Sequence, residues 1–165
     1  ASVDHKTVIN YLNNLCDAFL FYRADRYDIK GKAYLKTLFK YYSVDIGLRN
    51  AFLNFRQIEP THTIENIVYL ELLHRGYIVD IGKNDQKEID FIAKNMKDTF
   101  YIQVTYTMVD ESTRERELGS FKKLDDGYKK IVVTMDDDPF TNLENGYKKL
   151  NILDFLLDER SLENV

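Results

Sequence analysis

The chain has 165 residues, enough for one good core or a core with a small helical appendage. With 44% apolar and 30% charged residues, 12 tyrosines and ten phenylalanines, the composition excludes a disordered chain. A formal charge of −4 excludes a general polyanion binder, and no apolar run approaches the ~20 residues of a membrane span. The single cysteine, Cys16, excludes an internal disulfide, and the start ASVDHKTVIN lacks the pattern of a signal peptide, so a cytoplasmic location is expected. His5, His62 and His74 are scattered, which argues against a His/Cys metal cluster. Charge is uneven. Arg23, Arg26, Lys30, Lys32, Lys36 and Lys40 face only Asp25 and Asp28 in one stretch, whereas 110–138 is acidic.

In chain order, residues 4–20 predict an amphipathic helix with Val8, Leu12, Leu15 and Phe19 on one face and Asp4 as N-cap. A short strand at 19–23 and a basic, Gly-containing turn at 26–32 follow, as in the second half of a winged helix. The first half would precede residue 1, so the chain is expected to be a piece of a longer protein. Residues 41–44 suit a strand and 46–53 a short helix. Pro60 is the best boundary, which divides the chain into 1–59 and 60–165.

After Pro60 a largely apolar helix is expected to about Arg75, capped by Thr61 or Thr63 and closed by Gly76. Residues 77–81 predict a strand, 82–86 a turn, and 87–93 with 100–106 a β-hairpin across Lys94–Asp98. A turn centred between Met96 and Lys97 pairs residues whose numbers sum to 193, which sets Asp90 opposite Gln103. A charged helix at 111–124 and short strands at 131–134 and 149–153 complete the pattern, with a last helix fraying from Asp154. A strand returning after a helix implies a mixed sheet with helices on both faces. No phosphate-binding G-x-x-x-x-G-K-[ST] loop occurs, so no ATP site is expected on this chain.

The order helix, three strands, helix, strand, with an acid on one hairpin arm and a two-spaced polar pair on the other, resembles the PD-(D/E)xK nuclease-like superfamily, archaeal Holliday-junction resolvases in particular. The segments RYDIKGK, YYSVDIGLRN, ENIVYLELLHRGY, KEIDFIA, YIQVTY and TRERE are similar to a C-terminal domain of unknown function on predicted prokaryotic ATPases of the AAA superfamily. The resemblance implies a restriction-endonuclease-like mixed sheet flanked by helices from residue 60, preceded by a partial winged helix. It implies an ATPase module elsewhere in the full-length protein, and DNA as a partner. By that likeness Glu65 and Asp90 match the acids that hold Mg²⁺, Gln103 stands at the second hairpin acid, and Thr105 stands at the lysine. Catalysis is accordingly expected to be weak or lost, unless a lysine such as Lys83 or Lys87 has migrated into the site. The alternatives are a non-catalytic interaction or regulatory module and an active Mg²⁺-dependent DNA nuclease.

Each candidate also has an ordinary structural role open to it. Glu65 and Asp90 can be structural acids paired with Arg75 or Arg114, and Gln103 a structural amide. Glu71 and Glu88 suit surface charges. The candidate nucleic-acid contacts Arg23, Arg26, Lys30, Lys32, Arg114 and Arg116 can equally be a solvated turn and a salt-bridged helix face. Oligomeric state is not legible in the sequence.

Overall fold

The computed structural model describes residues 4–36, 39–56, 59–137 and 141–164. Asp138, at the end of the acidic stretch, lies outside the described residues. The chain order is α1 (His5–Asp17), β1 (Phe21–Ala24), β2 (Arg26–Asp28), β3 (Ala33–Tyr34), β4 (Lys40–Ser43), α2 (Ile46–Phe52) and α3 (Pro60–His74). It continues through β5 (Ile78–Asn84), β6 (Lys87–Lys94), β7 (Thr99–Thr105), α4 (Glu111–Ser120), β8 (Lys129–Thr134), β9 (Lys148–Asn151) and α5 (Ile152–Leu157).

Seven strands form one mixed sheet in the order β3-β2-β5-β6-β7-β8-β9, and β1 and β4 form a separate antiparallel pair. β5, β6 and β7 are antiparallel neighbours, while β7, β8 and β9 run parallel. Alternation along the strands divides the core. On one face Ile64, Val68 and Leu72 of α3 and Phe155 of α5 pack on Val79, Phe91, Ile102 and Val133. On the other, Leu118 of α4 and Phe121 pack on Ile92, Tyr101 and Val132. Fully burying a side chain such as Phe91 contributes about 1.5–3 kcal/mol. The chain is therefore a mixed α/β fold whose large sheet is flanked by helices.

The hairpin register agrees with the sequence. Phe91↔Ile102, Ile92↔Tyr101, Ala93↔Phe100 and Lys94↔Thr99 all sum to 193. The Asn95 side chain accepts from Lys97 N and Asp98 N and so closes the turn. α3 ends as expected, with Gly76 at φ +80 just past its cap.

Three expectations are corrected. Neither Thr61 nor Thr63 caps α3: Glu59 is the N-cap and Pro60 opens the helix, so both threonines fall inside it, and Thr63 Oγ1 donates to Glu59 O. The turn expected at 82–86 shrinks to Asp85–Gln86, because β5 runs on to Asn84 and Asp85 takes up the positive φ. Gly82 belongs to the strand, where a Cβ would come within 2.9 Å of Ile89 Cβ. Finally, the basic stretch read as a wing contains β2 and β3. β2 pairs parallel with β5 (Arg26↔Ile81, Asp28↔Lys83) and β3 lies outside it, so the sheet runs across the 59/60 boundary. Strands of three and two residues are too short for period-2 patterning to reveal them.

Among the described residues no helix is long and apolar enough to cross a membrane.

Candidate functional site

The expected site residues meet where the hairpin β6–β7 opens toward α4 and where α3 and β4 approach its end. Beyond the pair Phe91↔Ile102, side chains take over the cross-strand bonding. Asp90 N donates to Gln103 Oε1 at 2.8 Å, and Asp90 Oδ2 accepts from Val104 N at 2.8 Å. Gln103 Nε2 donates to Glu117 Oε2 of α4 at 2.7 Å. One amide orientation alone serves both partners, since an NH₂ group cannot accept from a backbone N–H.

Glu65 arrives from the buried side of α3. Its Oε1 accepts from Tyr42 OH at 2.7 Å and from Lys40 Nζ at 2.9 Å. The same ammonium lies 2.6 Å from Glu88 Oε1 and 3.9 Å from Asp90 Oδ1. Three carboxylates from two elements thus share one lysine from a third. Arg26 closes the outer side of Glu88 at 2.6 Å. β4 holds Lys40 in place firmly. Ser43 N and O pair with the Asn66 side chain at 2.9 Å each, and the Tyr42 ring stacks on Tyr69 at 4.0 Å between centroids.

Electrostatics follow from this crowding. Burial first, then the Glu65 charge, pushes the Asp90 carboxyl up to about 8, against the opposing pull of Lys40 and the Val104 N–H. Burial pulls the Lys40 ammonium down, but Glu65, Glu88 and Asp90 outweigh it and hold its pKa above the ordinary value. Burial, then Glu65, pushes the Tyr42 hydroxyl far up, so it remains a donor.

Two clefts flank the cluster. One of about 240 Å³ touches Lys40, Arg49, His62 and Glu65. The other, of about 260 Å³, is lined by Lys87, Glu88, Asp90, Gln103, Arg116 and Glu117. Lys87 therefore rims the second cleft, with its ammonium packed so tightly over Gly119 that a Cβ there would collide. Lys83 lines neither cleft.

The set expected for Mg²⁺ does not fit that ion. The Gln103 carbonyl oxygen is taken by the Asp90 N–H, its amide faces Glu117, and the approach between Glu65 and Asp90 holds the Lys40 ammonium. Mg²⁺ needs near-octahedral oxygen ligands at close range. Among the described residues no group of three or more His, Cys, Asp or Glu side chains is arranged to hold a metal ion. Thr105 is 3% exposed, and its hydroxyl donates to Thr107 O, so it reaches no reacting group.

Arg75 and Arg114 do not pair with the site acids. Arg75 binds Glu71 at 2.8 Å and also Phe155 O, and Arg114 binds Glu144 at 3.1 Å. Most expected nucleic-acid cations have an acidic neighbour: Arg23 pairs with Asp25, Arg26 with Glu88, Lys30 with Asp85 and Arg116 with Glu117, while Lys32 is exposed. Lys40, Glu88 and Glu117 are the residues the sequence reading missed as site members. Only the alternation that puts Lys40 and Tyr42 on one face of β4 could have hinted at them.

Comparison with known proteins places the chain among longer relatives. A domain of unknown function (DUF8612) matches residues 1–59. The chain is 43% identical to an uncharacterized protein of Haemophilus influenzae over 151 residues, which is 92% of this chain and 37% of that protein. It is 27% identical to the uncharacterized protein MJ1544 of Methanocaldococcus jannaschii over 162 residues, 92% of this chain and 34% of that protein. No solved structure matches it. The chain spans about a third of the length of the curated relatives it matches.

Proposed function

We propose that this chain is a non-catalytic, nuclease-like module of a longer AAA-type ATPase, working through interaction and not through phosphodiester cleavage. The observation that supports this is the Lys40 ammonium held by Glu65, Glu88 and Asp90, which fills the approach a catalytic metal would need. Gln103 and Thr105, both buried and committed to neighbours, leave no acid and no lysine on the second hairpin arm. The length of the relatives leaves room for the ATPase module that the resemblance implies. An interaction role has surface to draw on: Tyr11, Phe19, Phe52 and Phe55 are all exposed within the first 59 residues.

The test is a Mg²⁺ and Mn²⁺ titration with linear and branched DNA, with Asp90→Ala as control. The expected result is no metal-dependent cleavage and DNA affinity no tighter than ~10⁻⁴ M, the weak end of non-specific binding. Cleavage that Asp90→Ala abolishes would overturn the proposal. A second reading, DNA association without cleavage, draws on Lys87 and the 70% exposed Arg116 at the rim of the second cleft. Salt-dependent DNA binding tighter than that limit, weakened by Arg116→Ala, would favour it.

A further inference from the structure

We propose that the Lys40 ammonium is the resident cation of the acidic centre, standing where the resemblance puts a metal ion and leaving the native site without metal affinity. The inference rests on the nuclease-like, non-cleaving reading above and goes further by assigning the cation.

Its warrant is geometric. An ammonium is a compact positive charge with three donors, of which two reach acids here, while Asp90 stands at ion-pair distance only. Glu65 and Glu88 lie at 2.9 and 2.6 Å, and the third side faces Asp90 at 3.9 Å. Glu65 and Glu88 converge on the one ammonium, and removing a partner from such an ion group leaves an uncompensated charge. Neither of the other nearby lysines supplies it. Lys87 is packed on Gly119, and Lys83 lines neither cleft. Arg26 reaches only the outer oxygen of Glu88.

Delivery is equally specific. Lys40 pairs with Ala24 across the β1–β4 ladder and shares its face with Tyr42, whose hydroxyl holds the same Glu65 oxygen. Asn66 clamps the next residue, Ser43, through both backbone groups. The lysine is therefore presented by a docked strand, fixed in register, from a segment that lies before the hairpin–helix unit carrying the acids. A metal would have to displace a tethered cation whose effective concentration is set by the fold.

The experiment is isothermal titration of the whole chain with MgCl₂ and with MnCl₂, alongside thermal melts of wild type, Lys40→Met and Lys40→Arg. Wild type is expected to give no binding heat and no melting shift at millimolar metal. Lys40→Met is expected to melt roughly 10 °C lower than wild type, because it leaves the acids without their counter-charge. Lys40→Arg keeps the charge but not the compact shape, and should recover only part of that loss. Sub-millimolar metal binding by wild type that Glu65→Gln removes would overturn the assignment, as would a Lys40→Met variant that melts with wild type. Should Lys40→Met fail to fold, the wild-type titration decides alone. Metal binding without cleavage sinks this inference and leaves the non-cleaving reading intact, whereas metal-dependent cleavage sinks both.

Discussion

Gln103 and Asp90 hold each other's strand ends together through side chain to backbone: Gln103 Oε1 takes the Asp90 N–H, and Asp90 Oδ2 takes the N–H of Val104, the neighbour of Gln103. The amide then passes its own hydrogen to Glu117, which ties α4 to the hairpin. Gln103→Ala is expected to orphan a backbone donor and a carboxylate together, at a cost of about 1–3 kcal/mol, read as a lower urea midpoint with unchanged slope. Gln103→Glu faces a carboxylate with Glu117, and its destabilisation should shrink as the pH falls toward 5.

Asp90 makes stability depend on pH in a stated direction. Its folded pKa, about 8, lies above the ordinary 3.8, so between those values the folded chain holds a proton the unfolded chain has released. Stability from this group is complete below about pH 4 and is lost as pH rises through about 8. The groups facing it are Glu65 of α3, Lys40 of β4, Glu117 of α4 and the Val104 N–H of β7. Melting temperature should fall by several degrees from pH 5 to 9, and Asp90→Asn should flatten the profile. Parallel profiles for the two proteins would refute this.

Tyr42 is both a packing ring and a donor. Tyr42→Phe keeps the stack on Tyr69 but removes the 2.7 Å bond to Glu65. The expected cost is about 1.5–3 kcal/mol, the range for a hydrogen bond to a charged group, measured by chemical denaturation. A neutral result would mean that water replaces the hydroxyl.

Gly82 tests the packing between β5 and β6. Gly82→Ala places a methyl 2.9 Å from Ile89 Cβ and 3.1 Å from Ile92 Cγ1, both buried side chains. Overpacking of about 1–3 kcal/mol is expected, seen as a melting temperature lower by several degrees.

The hairpin was legible from sequence because strand alternation and turn chemistry are local, and they placed Asp90 opposite Gln103 correctly. The closing glycine of α3 was legible for the same reason. What stayed hidden depends on how distant elements meet. Glu88 reads as a surface charge until β4 brings Lys40 beside it, and Glu117 reads as one half of a salt-bridged face until α4 lies over Gln103. The basic turn expected at 26–32 holds for residues 29–32, but the strand at Arg26–Asp28 was hidden. Arg26 pairs with Glu88, exposed Lys30 pairs with Asp85, and the backbone of 26–28 extends the sheet.

That extension bears on how the chain can be cut. Residues 1–59 carry β2 and β3, and β2 is hydrogen-bonded along β5. A truncation starting at residue 60 would strip this cover and bare the donors and acceptors of β5, an edge that would recruit strands from other molecules. It would also take Lys40 away from the acids it serves. The fragment 60–165 should therefore self-associate at concentrations where the whole chain does not, a difference that light scattering would show. The segment matched by a family of its own is, in the folded molecule, a selvage that stops the sheet from unravelling into its neighbours.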